Sequence, residues 1–208
     1  MEGITRSIQF ALETLDASKN RSQEELQRYI GPPLRPVFAE LLENDDPSVA
    51  EEALRLYRVR YADVGMMECY LYPGIPEALE SLHTAGFALY LATSKPHIYA
   101  TQILNNFGLG KYFTHMHGSE LNGVRDDKAE LIEYIVATEK LTPAAALMIG
   151  DRKYDIIGGK GNGLLTAGVT YGFGGQIELS EAGADYIFDS PTALATWLLH
   201  CSPAGGLR

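Results

Sequence analysis

The sequence predicts an α/β protein in which a wholly helical N-terminal region, residues 1–68, precedes a parallel-sheet core, residues 69–208. Three observations lead there. From Ile4 to Val64 the apolar residues recur at helical spacing with no period-two run. After Tyr72-Pro73-Gly74, short runs rich in β-formers alternate with amphipathic helices, the pattern of a parallel sheet with helical crossovers. Hydroxyls and carboxylates then fall directly behind several apolar runs, where open parallel sheets bind their ligands.

Four helices account for the first region. Ile4, Ile8, Ala11, Leu12 and Leu15 share one face; Leu26, Tyr29 and Ile30 form a second face; Leu34, Phe38, Leu41 and Leu42 a third; and Val49, Ala53, Leu56, Tyr57 and Tyr61 a fourth. Ser22 and Glu25 have capping-box spacing, Gly31-Pro32-Pro33 stops the second helix, and Asp46-Pro47 opens the fourth. A four-helix cap is the reading, with a linker near residues 65–73.

The core is expected to hold strands at Phe87–Thr93, Tyr112–Gly118, Ala146–Gly150, Thr166–Tyr171 and Tyr186–Phe188. Helices between them carry clean apolar faces, such as Ile75, Ala78, Leu79 and Leu82, or Leu131, Ile132, Ile135 and Val136. The run Gly158-Gly159-Lys160-Gly161-Asn162-Gly163 fits neither a Walker pattern nor GxGxxG, and it follows a helix instead of a strand. It reads as a helix ending, loosened by Gly158, Gly159 and Gly161 by up to about 1 kcal/mol each relative to Ala.

Composition narrows the function. The 208 residues are 46% apolar, enough to fill a real core, and carry a formal charge of −10, which argues against a nucleic-acid partner because phosphate binding needs a basic stripe. Cys69 and Cys201 lie far apart and outside any ligand spacing, so no disulfide framework or zinc site is expected. No run approaches a membrane span and the N-terminus lacks a secretory pattern, so a cytoplasmic location with no membrane partner is expected, possible self-association being left open.

Three segments could carry chemistry. In Leu91-Ala92-Thr93-Ser94-Lys95-Pro96, Thr93 or Ser94 could hold a phosphoryl oxygen, the alternative being that Ser94 caps the helix that follows. In Gly150-Asp151-Arg152-Lys153-Tyr154-Asp155, two carboxylates four residues apart offer hard oxygen ligands suited to Mg²⁺; the alternative is that Asp151 caps a helix and Asp155 sits in its first turn. Lys128 stands at a helix start, where a cation is mildly unfavourable unless it meets an anion. His115 and His117 alternate on one strand face, but nothing near them in sequence completes a metal set, and they are read as non-ligand histidines.

A hydroxyl after a strand, then Lys, then Gly-Asp-x-x-x-Asp, all behind a helical cap, resembles the haloacid dehalogenase superfamily, in its phosphoglycolate phosphatase-like branch. Gly3-Ile4-Thr5-Arg6-Ser7, Tyr29-Ile30-Gly31-Pro32-Pro33-Leu34, Tyr72-Pro73-Gly74-Ile75 and Gly168-Val169-Thr170-Tyr171-Gly172 add to the likeness, which covers essentially the whole chain. The resemblance implies a Mg²⁺-dependent hydrolase of a small phosphorylated metabolite, phosphoglycolate- or nucleotide-like, working through an aspartyl-phosphate. It implies that Thr93 or Ser94 binds the transferring phosphoryl group, that Lys128 offsets its charge, and that Asp151 and Asp155 hold Mg²⁺. Gly31, Pro32, Pro33 and Leu34 would face the site from the cap and select the leaving group, unless they form only a helix-stop turn.

One departure stands out. The family carries its nucleophile in an Asp-x-Asp-Gly-Thr segment on the first, central strand, ahead of the cap, and no such segment occurs in this sequence. The central strand would lie between Phe87–Thr93 and Ala146–Gly150, and its loss would leave unpaired backbone groups at about 1–3 kcal/mol each. The chain as it stands is therefore expected to be inactive. Three accounts stay open: a longer natural chain, a repacked silent homologue that binds an anion or a protein, or a strand donated by another chain.

Overall fold

The computed structural model describes residues 2–17 and 21–200, which divide into two compact units, Met1–Tyr70 and Leu71–Arg208. Cys201 lies outside the described residues.

The first unit is helical: α1 (Glu2–Thr14), α2 (Gln23–Leu26), α3 (Leu34–Leu42) and α4 (Pro47–Asp63). Ile8, Ala11 and Leu12 of α1, Phe38 and Leu41 of α3, and Ala53, Leu54 and Tyr57 of α4 are all buried, with α4 packing against both α1 and α3. Phe38 meets Tyr57 edge-on at 6.2 Å, and Tyr57 stacks on Tyr61 at 5.2 Å. The start of α1 lies so close to the 3₁₀ turn Gly65–Met67 that a Cβ on Gly3 would stand 1.8 Å from the Gly65 carbonyl oxygen. Glu68 seals this corner by accepting from Arg60 at 2.8 Å and Arg6 at 3.0 Å.

The capping box forms as expected: Ser22 Oγ accepts from the Glu25 N–H at 3.2 Å, and Glu25 Oε2 accepts from the Ser22 N–H at 2.6 Å. The second expected helix is nevertheless short. Its α-helical part ends at Leu26 and a 3₁₀ turn, Gln27–Tyr29, takes over, because Gly31 adopts φ 113° and Pro32 and Pro33 offer no N–H to continue a helix. Asp46 caps α4, accepting from the Ser48 N–H at 2.9 Å with Pro47 at the first helical position.

The second unit alternates in the expected way: α5 (Ile75–Thr84), β1 (Tyr90–Pro96), α6 (His97–Asn106), β2 (His115–Ser119), α7 (Lys128–Thr138), β3 (Leu147–Gly150), α8 (Lys153–Gly161), β4 (Leu165–Val169), α9 (Gly175–Glu181), β5 (Tyr186–Phe188) and α10 (Pro191–His200). Every ladder is parallel, as helical crossovers require. β1 starts three residues later than expected, and β2 starts at His115 because Gly110–Tyr112 is a 3₁₀ turn. Leu82, Ala167, Val169, Leu194 and Leu198 form one side of the core, packed by Phe188 and Trp197.

Among the described residues the strands form two separate sheets, β1-β2 and β3-β4-β5. β1 and β3 share no ladder, so each keeps one edge without a strand. Burial follows: all seven residues of β1 are only half-buried, and Ile149 in β3 is 37% exposed. A strand of a covered parallel sheet is apolar because both faces are buried, so an exposed Ile149 marks an open flank.

α8 runs through both Gly158 and Gly159. A Cβ on Gly159 would stand 2.9 Å from Met148 and Thr166, and one on Gly158 would stand 3.1 Å from Ile132. These two glycines are therefore packing positions, which corrects the expectation that they only loosen the helix. Gly161 has open space around it. The helix does end where expected, in a Schellman motif: Leu164 N–H donates to the Gly159 carbonyl and Gly163 N–H to the Lys160 carbonyl, both at 3.0 Å, with Gly163 at φ 75°.

Candidate functional site

Of the residues singled out at the strand ends of the second unit, Asp155 meets Lys128, which also reaches β1. Asp127 caps α7 by accepting from the Ala129 N–H at 2.8 Å and the Glu130 N–H at 3.2 Å, which places Lys128 at the first helical position. From there its ammonium donates to the Ala92 carbonyl of β1 at 3.0 Å and lies 3.1 Å from Asp155 Oδ1. Both side chains are nearly buried, at 11% and 10% exposure. A cation at a helix N-terminus asks for an anion, and Asp155 supplies it.

Asp151 and Asp155 are set by two different devices. Asp155 lies in the first turn of α8 and reaches back, its Oδ2 accepting from the Arg152 N–H at 3.1 Å. Arg152, not Asp151, is the residue at the cap position. Asp151 turns away from the helix: its Oδ2 accepts from the Phe173 N–H at 2.8 Å, and its carbonyl accepts from the Gly174 N–H at 2.8 Å. The capping alternative thus holds for Asp155, which sits in the first turn, and fails for Asp151, which the loop at residues 173–174 clasps instead.

Two glycines make room for the carboxylates. A Cβ on Gly150 would stand 2.2 Å from Asp155 Cβ, and one on Gly172 would stand 2.2 Å from Asp151 Cβ. Only Gly permits either approach. Gly150 belongs to the Gly-Asp motif and Gly172 ends a stretch that adds to the family likeness, whereas the N–H groups of Phe173 and Gly174 come from a loop with no local signal in the sequence.

The electrostatics of the two carboxylates differ, because Lys128 pairs with Asp155 and Asp151 is held by backbone N–H groups. Burial pushes the Asp151 carboxyl above its ordinary range, the Phe173 N–H pulls against it, and the charge of Asp155 adds to the rise. Burial, with Asp151 and Tyr72 beside it, pushes the Tyr171 phenol up to about 12. Nearby, burial raises Glu178, but the Arg152 hydrogen bond at 2.8 Å and the Lys153 N–H at 2.8 Å outweigh it, and its carboxyl falls below the usual range. Two carboxylates held in glycine cradles, the charge of Asp155 adding to the rise of Asp151, fit a hard divalent cation such as Mg²⁺.

Thr93 and Ser94 lie at the bulged end of β1, where the register with β2 shifts between Thr93 and Pro96. Thr93 Oγ1 accepts from the Lys95 N–H at 3.2 Å, leaving its hydroxyl proton as a donor. The Ser94 carbonyl accepts from Ser119 Oγ at 2.9 Å, and Gly118 allows the close pass of Lys95 and His97. Ser94 does not cap α6. Pro96 holds that position with no side-chain bond. Thr93 follows Ala92, the residue that Lys128 grips, so β1, α7 and α8 meet at one cation.

Gly31, Pro32, Pro33 and Leu34 belong to the first unit. Gly31 is exposed, the others are half-buried, and together they form the turn into α3, with Pro33 at its cap.

The parallel α/β unit behind a helical region, with Lys and paired Asp residues at the strand ends, defines a hydrolase of the phosphatase type. The chain belongs to the haloacid dehalogenase-like hydrolase family, whose profile matches residues 1–169. Among its relatives is a 5'-nucleotidase of Pseudomonas aeruginosa, 43% identical over 178 residues, covering 86% of this chain and 80% of that protein. A phosphoglycolate phosphatase of Vibrio parahaemolyticus is 32% identical over 134 residues, covering 64% of this chain but only 59% of that protein. Among solved structures, a predicted phosphatase from Clostridium acetobutylicum superposes with a TM-score of 0.90 at 40% identity, covering 96% of this chain and 91% of the other. No helix among the described residues is long and apolar enough to cross a membrane.

Proposed function

We propose that this chain forms the cap and most of the core of a Mg²⁺-dependent phosphomonoesterase. The observation that carries the proposal is the meeting of Lys128, Asp155 and β1: one ammonium touches the Ala92 carbonyl and the Asp155 carboxylate, next to Thr93 and the Asp151 clasp. Asp151 and Asp155 would hold Mg²⁺, which when bound supplies charge neutralisation to a phosphoryl group. The Thr93 hydroxyl, with Ser94 as its neighbour, donates to a phosphoryl oxygen, and Lys128 balances the charge that collects there. The turn Gly31–Leu34 sits on the helical unit and would select the leaving group.

The nucleophile belongs to the family scheme, an Asp on a strand lying between β1 and β3. In that scheme its carboxylate would attack phosphorus as the P–O bond to the leaving group breaks. The second Asp of the segment would give the leaving oxygen its proton and then take one from water, and that water would cleave the aspartyl-phosphate to phosphate and the free carboxylate. The separate sheets and the exposed Ile149 support a lane for that strand. The substrate is a small phosphorylated metabolite in the cytoplasm. A nucleoside monophosphate is favoured over phosphoglycolate, since the nucleotidase relative matches at higher identity and over more of its length.

The test is phosphate release from an aryl phosphate and from nucleoside monophosphates with Mg²⁺. The 208-residue chain should be silent, and a chain extended upstream by a strand bearing Asp-x-Asp-Gly-Thr should turn over in proportion to Mg²⁺. Robust turnover by the 208-residue chain, or turnover of the extended chain in chelator, would overturn the proposal. If the extended chain is silent yet binds phosphate or a protein, the non-catalytic reading takes its place.

A further inference from the structure

We propose a second metal site, for a borderline divalent ion of the Zn²⁺ class, formed by His115, His117 and Glu139 at the far end of α7 from Lys128. These three are brought together by the fold from two places in sequence. His115 and His117 stand two apart on β2 and so point to one side of the strand. Glu139 is the residue that ends α7, its N–H donating to the Ile135 carbonyl at 2.9 Å.

The carboxylate spans the two rings. His115 Nδ1 lies 2.8 Å from Glu139 Oε2, and His117 Nε2 lies 2.9 Å from Glu139 Oε1. One ligand atom from each residue fits within a 4.8 Å circle. Zinc bonds to N and O are about 2.0–2.2 Å, so ligand atoms around a tetrahedral ion sit a little over 3 Å apart. Seating the ion lengthens the two hydrogen-bonded separations by a few tenths of an ångström and draws in the wider pairs of a set that spans up to 4.8 Å.

Exposure is graded across the set: the side chains of His117 and Glu139 are 13% and 10% exposed, while that of His115 is 61% exposed. Three protein ligands with one open flank leave room for water as the fourth. Imidazole donors select Zn²⁺, Ni²⁺ or Cu²⁺ over Mg²⁺, which distinguishes this set chemically from the all-oxygen pair Asp151 and Asp155.

The surroundings orient the rings. Tyr134 meets His117 edge-on at 5.8 Å, and Tyr90 lies 6.4 Å from His115. Arg125, which pairs with Glu120, rests over Tyr134 at 4.3 Å. Binding exchanges one interaction for another. The ring nitrogens that face Glu139 would turn their lone pairs to the metal, each ring carrying its N–H on the other nitrogen. No oxidant or reductant is involved.

The effect would be to clamp α7 to β2. Lys128 stands one helix length away, roughly 16 Å by helical rise, so an ion here steadies the same helix that presents the active-site cation. The site stands on its own residues and does not depend on the phosphatase reading.

The experiment uses the full chain, stripped with chelator and titrated with Zn²⁺ by calorimetry and with Co²⁺ by visible absorption near neutral pH. One ion should bind per chain, with Kd about 10 μM or tighter. The thermal midpoint should rise with Zn²⁺ and not with equal Mg²⁺. Nitrogen-15 shifts of the His115 and His117 rings should move on binding. His115→Ala, at an exposed position, and Glu139→Gln should each weaken binding by about tenfold or more. Asp151→Asn should leave Zn²⁺ binding unchanged. Wild-type binding no tighter than that of His115→Ala, or a midpoint that Zn²⁺ does not raise, would overturn the site and leave Glu139 as a hydrogen-bond acceptor only.

Discussion

The Lys128 ammonium lies 3.1 Å from Asp155 Oδ1 while donating to the Ala92 carbonyl at 3.0 Å, so one side chain ties the start of α8 to a strand of the other sheet. Among the described residues no ladder joins those sheets, and this cation links them. Replacing Lys128 with Met leaves Asp155 buried without its partner. The expected cost is about 3–5 kcal/mol, read from urea unfolding, because breaking a buried pair strands the remaining charge. The double variant Lys128→Met, Asp155→Leu should recover part of that loss; a single variant within about 0.5 kcal/mol of the parent would show the pair to be structurally neutral.

Asp151 should trade stability against metal binding. Its folded carboxyl lies above the ordinary range, so the protonated form is favoured on folding. Stability from this group is full at low pH and declines as pH rises through the raised value. Asp151→Asn should therefore stabilise the metal-free chain near neutral pH, with the amide oxygen still able to accept from Phe173. The same change should weaken Mg²⁺ binding by about tenfold or more. Unfolding with and without Mg²⁺ separates the two effects, and an unchanged Mg²⁺ dependence would remove Asp151 from the metal site.

The glycines of α8 should respond in opposite directions. Gly161 has open space and ordinary helical backbone, so Gly161→Ala should stabilise by about 1 kcal/mol. Gly159→Ala would drive a methyl to 2.9 Å from Met148 and Thr166 and should destabilise by about 1–3 kcal/mol. Thermal unfolding of the two variants, side by side, checks both signs.

Glu68 sets an acid limit on the helical unit. The Arg60 hydrogen bond, against the pull of burial and with help from Arg6, holds its carboxyl down at about 2. A depressed carboxylate contributes its stability above the ordinary range and loses it as pH falls from about 4.5 toward 2. Glu68→Gln should cost about 2 kcal/mol near pH 7 and progressively less across that window. Urea midpoints at pH 6 and pH 3 test this, and an equal cost at both would show that ionisation of Glu68 is not what matters.

Gly3 is a packing requirement. With the Gly65 carbonyl 1.8 Å from where its Cβ would sit, Gly3→Ala must push α1 away from the turn at residues 65–67. A loss of about 1–3 kcal/mol is expected, read from the thermal midpoint.

Local chemistry made much of this legible without a structure. Periodicity separates the helical region from the alternating one, since a buried face must repeat at 3.6 or 2 residues. The caps at Ser22 and Asp46, the stop at Gly31-Pro32-Pro33 and the ending of α8 are all local backbone problems with local answers. So is the Gly-Asp-x-x-x-Asp turn, whose six residues already bring its two carboxylates near one strand end. Tertiary structure decided what depends on distant residues. The Phe173 N–H that orients Asp151 is 22 residues away, and the carbonyl that Lys128 grips is 36 residues away. Glu139, 22 residues beyond His117, meets the two histidines read as non-ligands and completes the set proposed above as a metal site. Spacing along a chain cannot report such meetings, because they are set by which strands pair and how helices cross them, and in this protein that same pairing leaves β1 and β3 apart.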